Sequence, residues 1–138
     1  MAAGHFALIK ARFENVKDDV VDEVAKRGLV IDHTAHIGAM LDRTAKEVGA
    51  TKKVYARAAA IQFCSAPLSR KTMEVDPANI VFSPYVIVIY SLAWDPATVH
   101  VGYRRPQSAG SPESRAALKA IDDLLAGIVR EAVRSSAQ

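Results

Sequence analysis

The stretch from Tyr85 to Trp94, YVIVIYSLAW, is apolar at odd and even positions alike. A strand with one face in water alternates apolar and polar residues, so a run that is apolar on both sides belongs in the middle of a sheet. The residues that follow fix how the sheet is paired. Asp95-Pro96 supplies turn chemistry, and TVHVGYRR, with Val99, Val101 and Tyr103 on one side, folds back as the second arm of a β-hairpin. Antiparallel pairing around a central strand is therefore the starting constraint on the chain.

The other segments supply that sheet and its cover. His5 to Phe13 alternates, with His5, Ala7, Ile9, Ala11 and Phe13 on one face and Lys10 and Arg12 on the other. Asn15 is placed to cap a helix, with Asp18 three residues on, and Val16, Val20, Val21 and Val24 recur at helical spacing before Gly28 ends it. LVIDHTAHI predicts a second strand with Leu29, Ile31, His33, Ala35 and Ile37 sharing a face. A short helix over Met40 to Val48 stops at Gly49. VYARAAAIQF reads as a strand by context. Its Ala56, Ala58 and Ala60 fall on one side, and such a face of small residues invites a closely packed helix.

Ser65 caps the next short helix, with Pro67 in its first turn, and DPANIVFSP is a connection broken by two prolines. After a linker-like stretch from Arg105 to Pro112 comes the strongest helix. Ser111 caps it, Pro112 opens it, and Leu118, Ile121, Leu125, Ile128 and Ala132 form its apolar stripe. The order is β-α-β-α-β-α-β-β-α, which fits an α+β layer with about five strands and the helices on one face.

The 138 residues suit a single domain over 1–138, and half of them are hydrophobic, enough for an ordinary core. The net charge of +3 comes from scattered Lys and Arg rather than from a basic stripe, so nucleic-acid binding is disfavoured. A single cysteine excludes an internal disulfide and a multi-cysteine metal site, and fits a reducing compartment. MAAGHFALIKARF lacks the basic and apolar regions of a leader, and no run is long and apolar enough for a membrane span. A cytoplasmic protein without a membrane partner is expected.

Four groups of residues carry candidate chemistry. Cys64 precedes the helix that starts near Ser65, where the positive helix end favours thiolate and Arg70 or Lys71 lies one turn on. Burial against the alanine face opposes this, and the balance favours a structural, buried Cys64. His33 and His36 have HxxH spacing, but on a strand residues three apart point to opposite faces, so they make a poor pair for haem or a metal. No cofactor and no metal site is predicted. His33 alone reads as a core histidine among apolar neighbours. His100, Arg104 and Arg57 form a candidate polar face for an anion, with Gly102 leaving room between the first two. Phe63, Phe82, Tyr85, Tyr90 and Trp94 are candidates to line an apolar pocket or an interface.

The segment IQFCSAPLSRKTMEVDPANIVFSPYVIVIY, followed by a turn and VHVGYRRP, resembles the bacterial family known as "domain of unknown function 302". Ile61 to Pro106 matches its pattern in order and spacing, and the resemblance extends over Val30 to Val133. It implies a curved sheet similar to the TATA-binding-protein-like fold and frequent homodimers, and it implies no activity. Ser83 stands where many members carry a second cysteine, so two-thiol chemistry is not implied.

The favoured reading is a non-enzymatic, homodimeric binding module for a small, partly apolar or anionic ligand. Its pocket candidates are Cys64, Ser65, His33, Phe63, Tyr85, His100 and Arg104. A thiol-dependent enzyme or sulfur carrier using Cys64 is the alternative, with nucleic-acid binding ranked below it.

Overall fold

The computed structural model describes residues 4–137. They form β1 (Gly4–Lys10), α1 (Phe13–Lys26), β2 (Val30–Ala35), α2 (Ile37–Thr44), β3 (Tyr55–Cys64), α3 (Ala66–Val75), a 3₁₀ helix (Pro77–Phe82), β4 (Tyr85–Leu92), β5 (Asp95–Arg104) and α4 (Pro112–Ser136). The residues before Gly4, read above for a leader, lie outside this range. The sheet order is β1-β5-β4-β3-β2 and every neighbouring pair is antiparallel. β4 is the middle strand, as its two apolar sides require.

One side of the sheet builds the core. Ile61 and Phe63 of β3, Ile87 and Ile89 of β4, and Val99 and Val101 of β5 are all fully buried there. Val16, Val20 and Val24 of α1 and Leu118, Ile121, Leu125 and Ile128 of α4 close over them. Each such side chain contributes about 1.5–3 kcal/mol on burial, which is why two amphipathic helices suffice to hold the sheet. In α1 the carboxylate of Glu23 is also buried. Burial alone would raise its pKa, but hydrogen bonds from Arg27 (2.5 Å) and Lys26 (3.2 Å) outweigh it and hold the group below the usual carboxylate value.

The segment from Ser65 to Ser114 is tied together by caps. Ser65 Oγ accepts from the Leu68 N–H at 3.4 Å, Asp76 Oδ1 from the Ala78 N–H at 3.0 Å, and Ser111 Oγ from the Ser114 N–H at 3.1 Å. Asn79, 4% exposed, donates to the Thr72 carbonyl and to Ser114 Oγ, both at 3.0 Å, and so joins α3 to α4. Ser69 and Tyr85 share a hydrogen bond of 2.8 Å that fastens α3 to β4. The chain leaving β5 is anchored by Asp122, which accepts from the Tyr103 hydroxyl at 3.0 Å and from Arg105 Nε at 3.2 Å.

Several local expectations change. β1 ends at Lys10, and Phe13 opens α1 instead, with Arg12 rather than Asn15 at the cap position and no side-chain cap bond. β2 carries a bulge between Ile31 and His33, so Ile31 pairs with core-facing Phe63 while His33 pairs with Gln62 on the opposite side. The expected common face of Leu29, Ile31, His33, Ala35 and Ile37 is thereby split. α2 begins at Ile37 and ends at Thr44, and turns carry the chain to Gly49 (φ +68°). The prolines after α3 frame a 3₁₀ helix, and the hairpin turns at Ala93-Trp94, two residues earlier than Asp95-Pro96 suggests. The alanine side of β3 receives no covering helix. α2 instead takes the place beside β3 that β2 vacates after Ala35. There a Cβ on Gly38 would lie 3.0 Å from the Ala58 nitrogen.

Leu125→Ala is expected to cost about 2–5 kcal/mol, read as a lower urea midpoint with an unchanged slope. Burial and the bond to Asp122 push the Tyr103 phenol up to about 12. Its neutral form is therefore favoured in the folded state. The stability it contributes is complete below the ordinary tyrosine value and is lost as pH rises through about 12. Urea melts of wild type and Tyr103→Phe between those limits are expected to show a loss of stability with pH that is shallower in the variant.

Candidate functional site

With α1 and α4 on one side, the other side of the sheet is left open, and the strand registers say which residues share it. Across the middle run Ala35, Ala60, Val88, Gly102 and Phe6. Next to this row lie Ala58, Tyr90, His100 and Leu8. On the other flank His33 pairs with Gln62 and Gln62 with Val86, and Arg104 comes one step beyond the Ile87–Tyr103 pair. Val30 and Cys64 close that end. The centre is aliphatic and small, and the polar groups are spread toward the ends.

An aromatic group stands on this face. The rings of Tyr90 and His100, on adjacent strands, are stacked with centroids 4.4 Å apart and planes 4° from parallel. Phe6 and Tyr55 meet Tyr90 edge-on at 5.9 Å and 5.4 Å. Partial burial raises the Tyr90 phenol above its ordinary value, with Tyr55 adding to the effect. Phe6 is 42% and Leu8 58% exposed, large apolar side chains left in water on a sheet edge.

Four of the expected pocket residues, Cys64, His33, His100 and Arg104, share this face, though they are spread over it. The sheet spacing puts Arg104 and His33 three strands apart, roughly 14 Å. The other three do not join them. Phe63 and Tyr85 pack edge to face at 5.8 Å inside the core, and Ser65 is a buried helix cap. Burial raises the Tyr85 phenol, partly offset by its bond to Ser69. Arg57 points away from His100 and Arg104. It lies 4.9 Å over the Phe13 ring and pairs with Glu14. The expected aromatic cluster is likewise divided, with Tyr90 on the open face, Phe82 in the 3₁₀ helix and Trp94 at the hairpin tip.

His33 is exposed rather than set among core residues, because the bulge turns it outward. His36 sits at the entry to α2, and among the described residues no group of three or more His, Cys, Asp or Glu gathers as a metal set. Cys64 is half-buried rather than enclosed. Sequence reasoning missed Phe6, Leu8, Tyr55 and Gln62. The signal for the first two was present, since FALIK is apolar on both of its alternating sets.

A five-stranded antiparallel sheet, helical on one face and bare on the other, defines a small α+β domain with an unpartnered apolar face. The chain belongs to the family described as "Domain of unknown function DUF302", whose model matches residues 7–134. The crystal structure of an uncharacterized conserved protein DUF302 from Bacillus stearothermophilus is similar in fold, with a TM-score of 0.78 at 12% identity, covering 96% of this chain and 99% of that one. No functionally curated protein matches the sequence. Much of the segment that carries the family resemblance does structural work here: Ser65, Asp76, Asn79 and Tyr85 are caps and ties between elements.

Because Cys64 is only half-buried, a hydroxyl in its place stays within reach of water. Cys64→Ser and Cys64→Ala are both expected to change stability by less than about 1 kcal/mol, measured by urea melts. A serine penalty well above the alanine one would mean that the site is sealed.

Proposed function

We propose that this domain is a non-enzymatic binding module that works as a homodimer, with the open sheet face as the shared surface. The observation that carries this reading is the composition of that face. Val86, Val88, Tyr90, Phe6 and Leu8 leave an apolar surface, and among the described residues the only carboxylates at strand positions are Asp32 in the β2 bulge and Asp95 at the hairpin end of β5, both toward the rim.

Five strands about 4.8 Å apart and some seven residues long give a face of roughly 500 Å². That is as large as the apolar patches that on soluble monomers are often functional. A stable dimer buries about 800 Å² on each partner, so the rims, including exposed Val30, must contribute. A second copy is the natural occupant, because a two-fold axis sets one apolar face against an identical one. The resemblance to a family with frequent homodimers points the same way.

The ligand completes the reading. Gly102 lies between His100 and Arg104 on β5 and puts no side chain between them. The Arg104 guanidinium offers a charged fork to an anion at one end, and the Tyr90–His100 stack offers an apolar wall at the other. A partner copy over this strip would exclude water from a small, partly apolar anion. The Cys64 alternative draws no comparable support, since Cys64 stands beside Val30 and the Ser65 and Ser69 hydroxyls serve the fold.

Light scattering at micromolar concentration, followed by native mass spectrometry of freshly purified protein, tests the reading. The wild type is expected at twice the 14.9 kDa chain mass, with any retained ligand visible as added mass. Leu8→Glu sets a charge on the shared face and is expected to give a folded monomer. Wild type running at 14.9 kDa would overturn the proposal.

A further inference from the structure

Beyond the β3 edge, and apart from the open sheet face, a second hollow lies between α2 and the segment that returns to β3. Its origin is local. Gly38 sets the first turn of α2 hard against the Ala58 backbone, and the later turns of the helix stand clear of the sheet. The chain then folds back over the gap through the turn that ends at Ala50, whose N–H donates to the Ala45 carbonyl at 2.9 Å. It is fastened to the β4–β5 hairpin where the Ala93 N–H donates to the Val54 carbonyl at 2.9 Å. The result is a cavity of about 400 Å³, within the range of small-molecule sites.

Its lining has two chemistries. Leu41, Val48 and Val54 face it and are all exposed to solvent, Val48 at 73%. Large aliphatic side chains left in water around a void gain free energy when an apolar chain fills it. Lys52 and Lys53 stand on the lining against a single carboxylate, Asp42, which lies 3.6 Å from Lys53. Lys52 has its ammonium 4.8 Å over the Trp94 ring, and among the described residues no carboxylate pairs with it. An aromatic face holds the cation in place without neutralising it.

We infer that this cavity binds a single-chain anionic amphiphile, a carboxylate carrying an unbranched apolar tail. The tail lies among Leu41, Val48 and Val54, and the carboxylate meets Lys52 beside Trp94. A bilayer surface is the less suitable partner, because the aliphatic groups converge on a void that one chain can fill and a flat surface cannot. The cavity borders the open face only through Tyr55, which lines it and meets Tyr90 edge-on, while its lysines and aliphatic groups lie outside the rows of that face.

Trp94 is the one tryptophan of the chain, which makes its emission a reporter for this rim. The probe is decanoate, titrated below its micellar concentration into the intact protein, with decanol as the uncharged control. A saturable emission change at one decanoate per chain is expected. Decanol should bind about fivefold more weakly, the upper end for an exposed ion pair. Lys52→Gln should bring decanoate to the decanol level, and Val48→Asp, at an exposed position that leaves the core intact, should abolish the response. Absence of saturation, equal affinity for acid and alcohol, or an undiminished response in Val48→Asp would overturn the inference. So would a response to phosphatidylglycerol vesicles without one to decanoate, which would assign the patch to membrane contact instead.

Discussion

β4 needs cover on both of its sides, and the chain's own helices provide only one. Ile87 and Ile89 are sealed by α1 and α4, while Val86, Val88 and Tyr90 on the same strand remain half-buried on a face with no helix. The rest of the structure can be traced to this imbalance. The core side is dense and fully satisfied, and among the described residues no buried side-chain nitrogen or oxygen lacks a partner. The open side keeps small residues at its centre, Ala60 and Gly102, and aromatic rings toward one end. One side therefore supplies stability, and the other is available for association.

The polar ties that surround the core give much of the domain's most recognisable segment a structural role. Asn79 bridges α3 and α4, Asp76 starts the 3₁₀ helix, and Ser69 meets Tyr85. Each replaces water on a group that burial would otherwise leave unpaired, which costs more than the bond itself returns. Such residues must keep their identity for the fold to close, whatever the face opposite them binds. Gly110, with φ +78°, belongs to the same set, because it turns the chain into the Ser111 cap of α4.

The element order and the helical stripe of α4 were legible in the sequence because their periods are long and their caps conventional: Ser111-Pro112 and Ser65 sit where side-chain chemistry places a helix start. The central place of β4 was legible from its two apolar sides. What was not legible depends on single residues. One bulged residue, Asp32, turns His33 to the open face while Ile31 keeps its place on the core side, and alternation counted without the bulge puts both on one face. The alanines of β3 look like a seat for a helix, but sequence alone does not say that α2 stops at the strand's edge. The cavity beside Lys52 was hidden for a related reason, since it is made by where a short helix stands clear of the sheet.

The central claim is that a second copy of the chain covers the open sheet face. Isotope-filtered NMR on a mixture of labelled and unlabelled protein tests it most directly, because it sees only contacts between different chains. The account predicts intermolecular cross-peaks from the methyls of Leu8 and Val88 and from the rings of Phe6 and Tyr90. A dimer whose intermolecular contacts all arise from α1, α4 or the strand edges, with none from these residues, would contradict it.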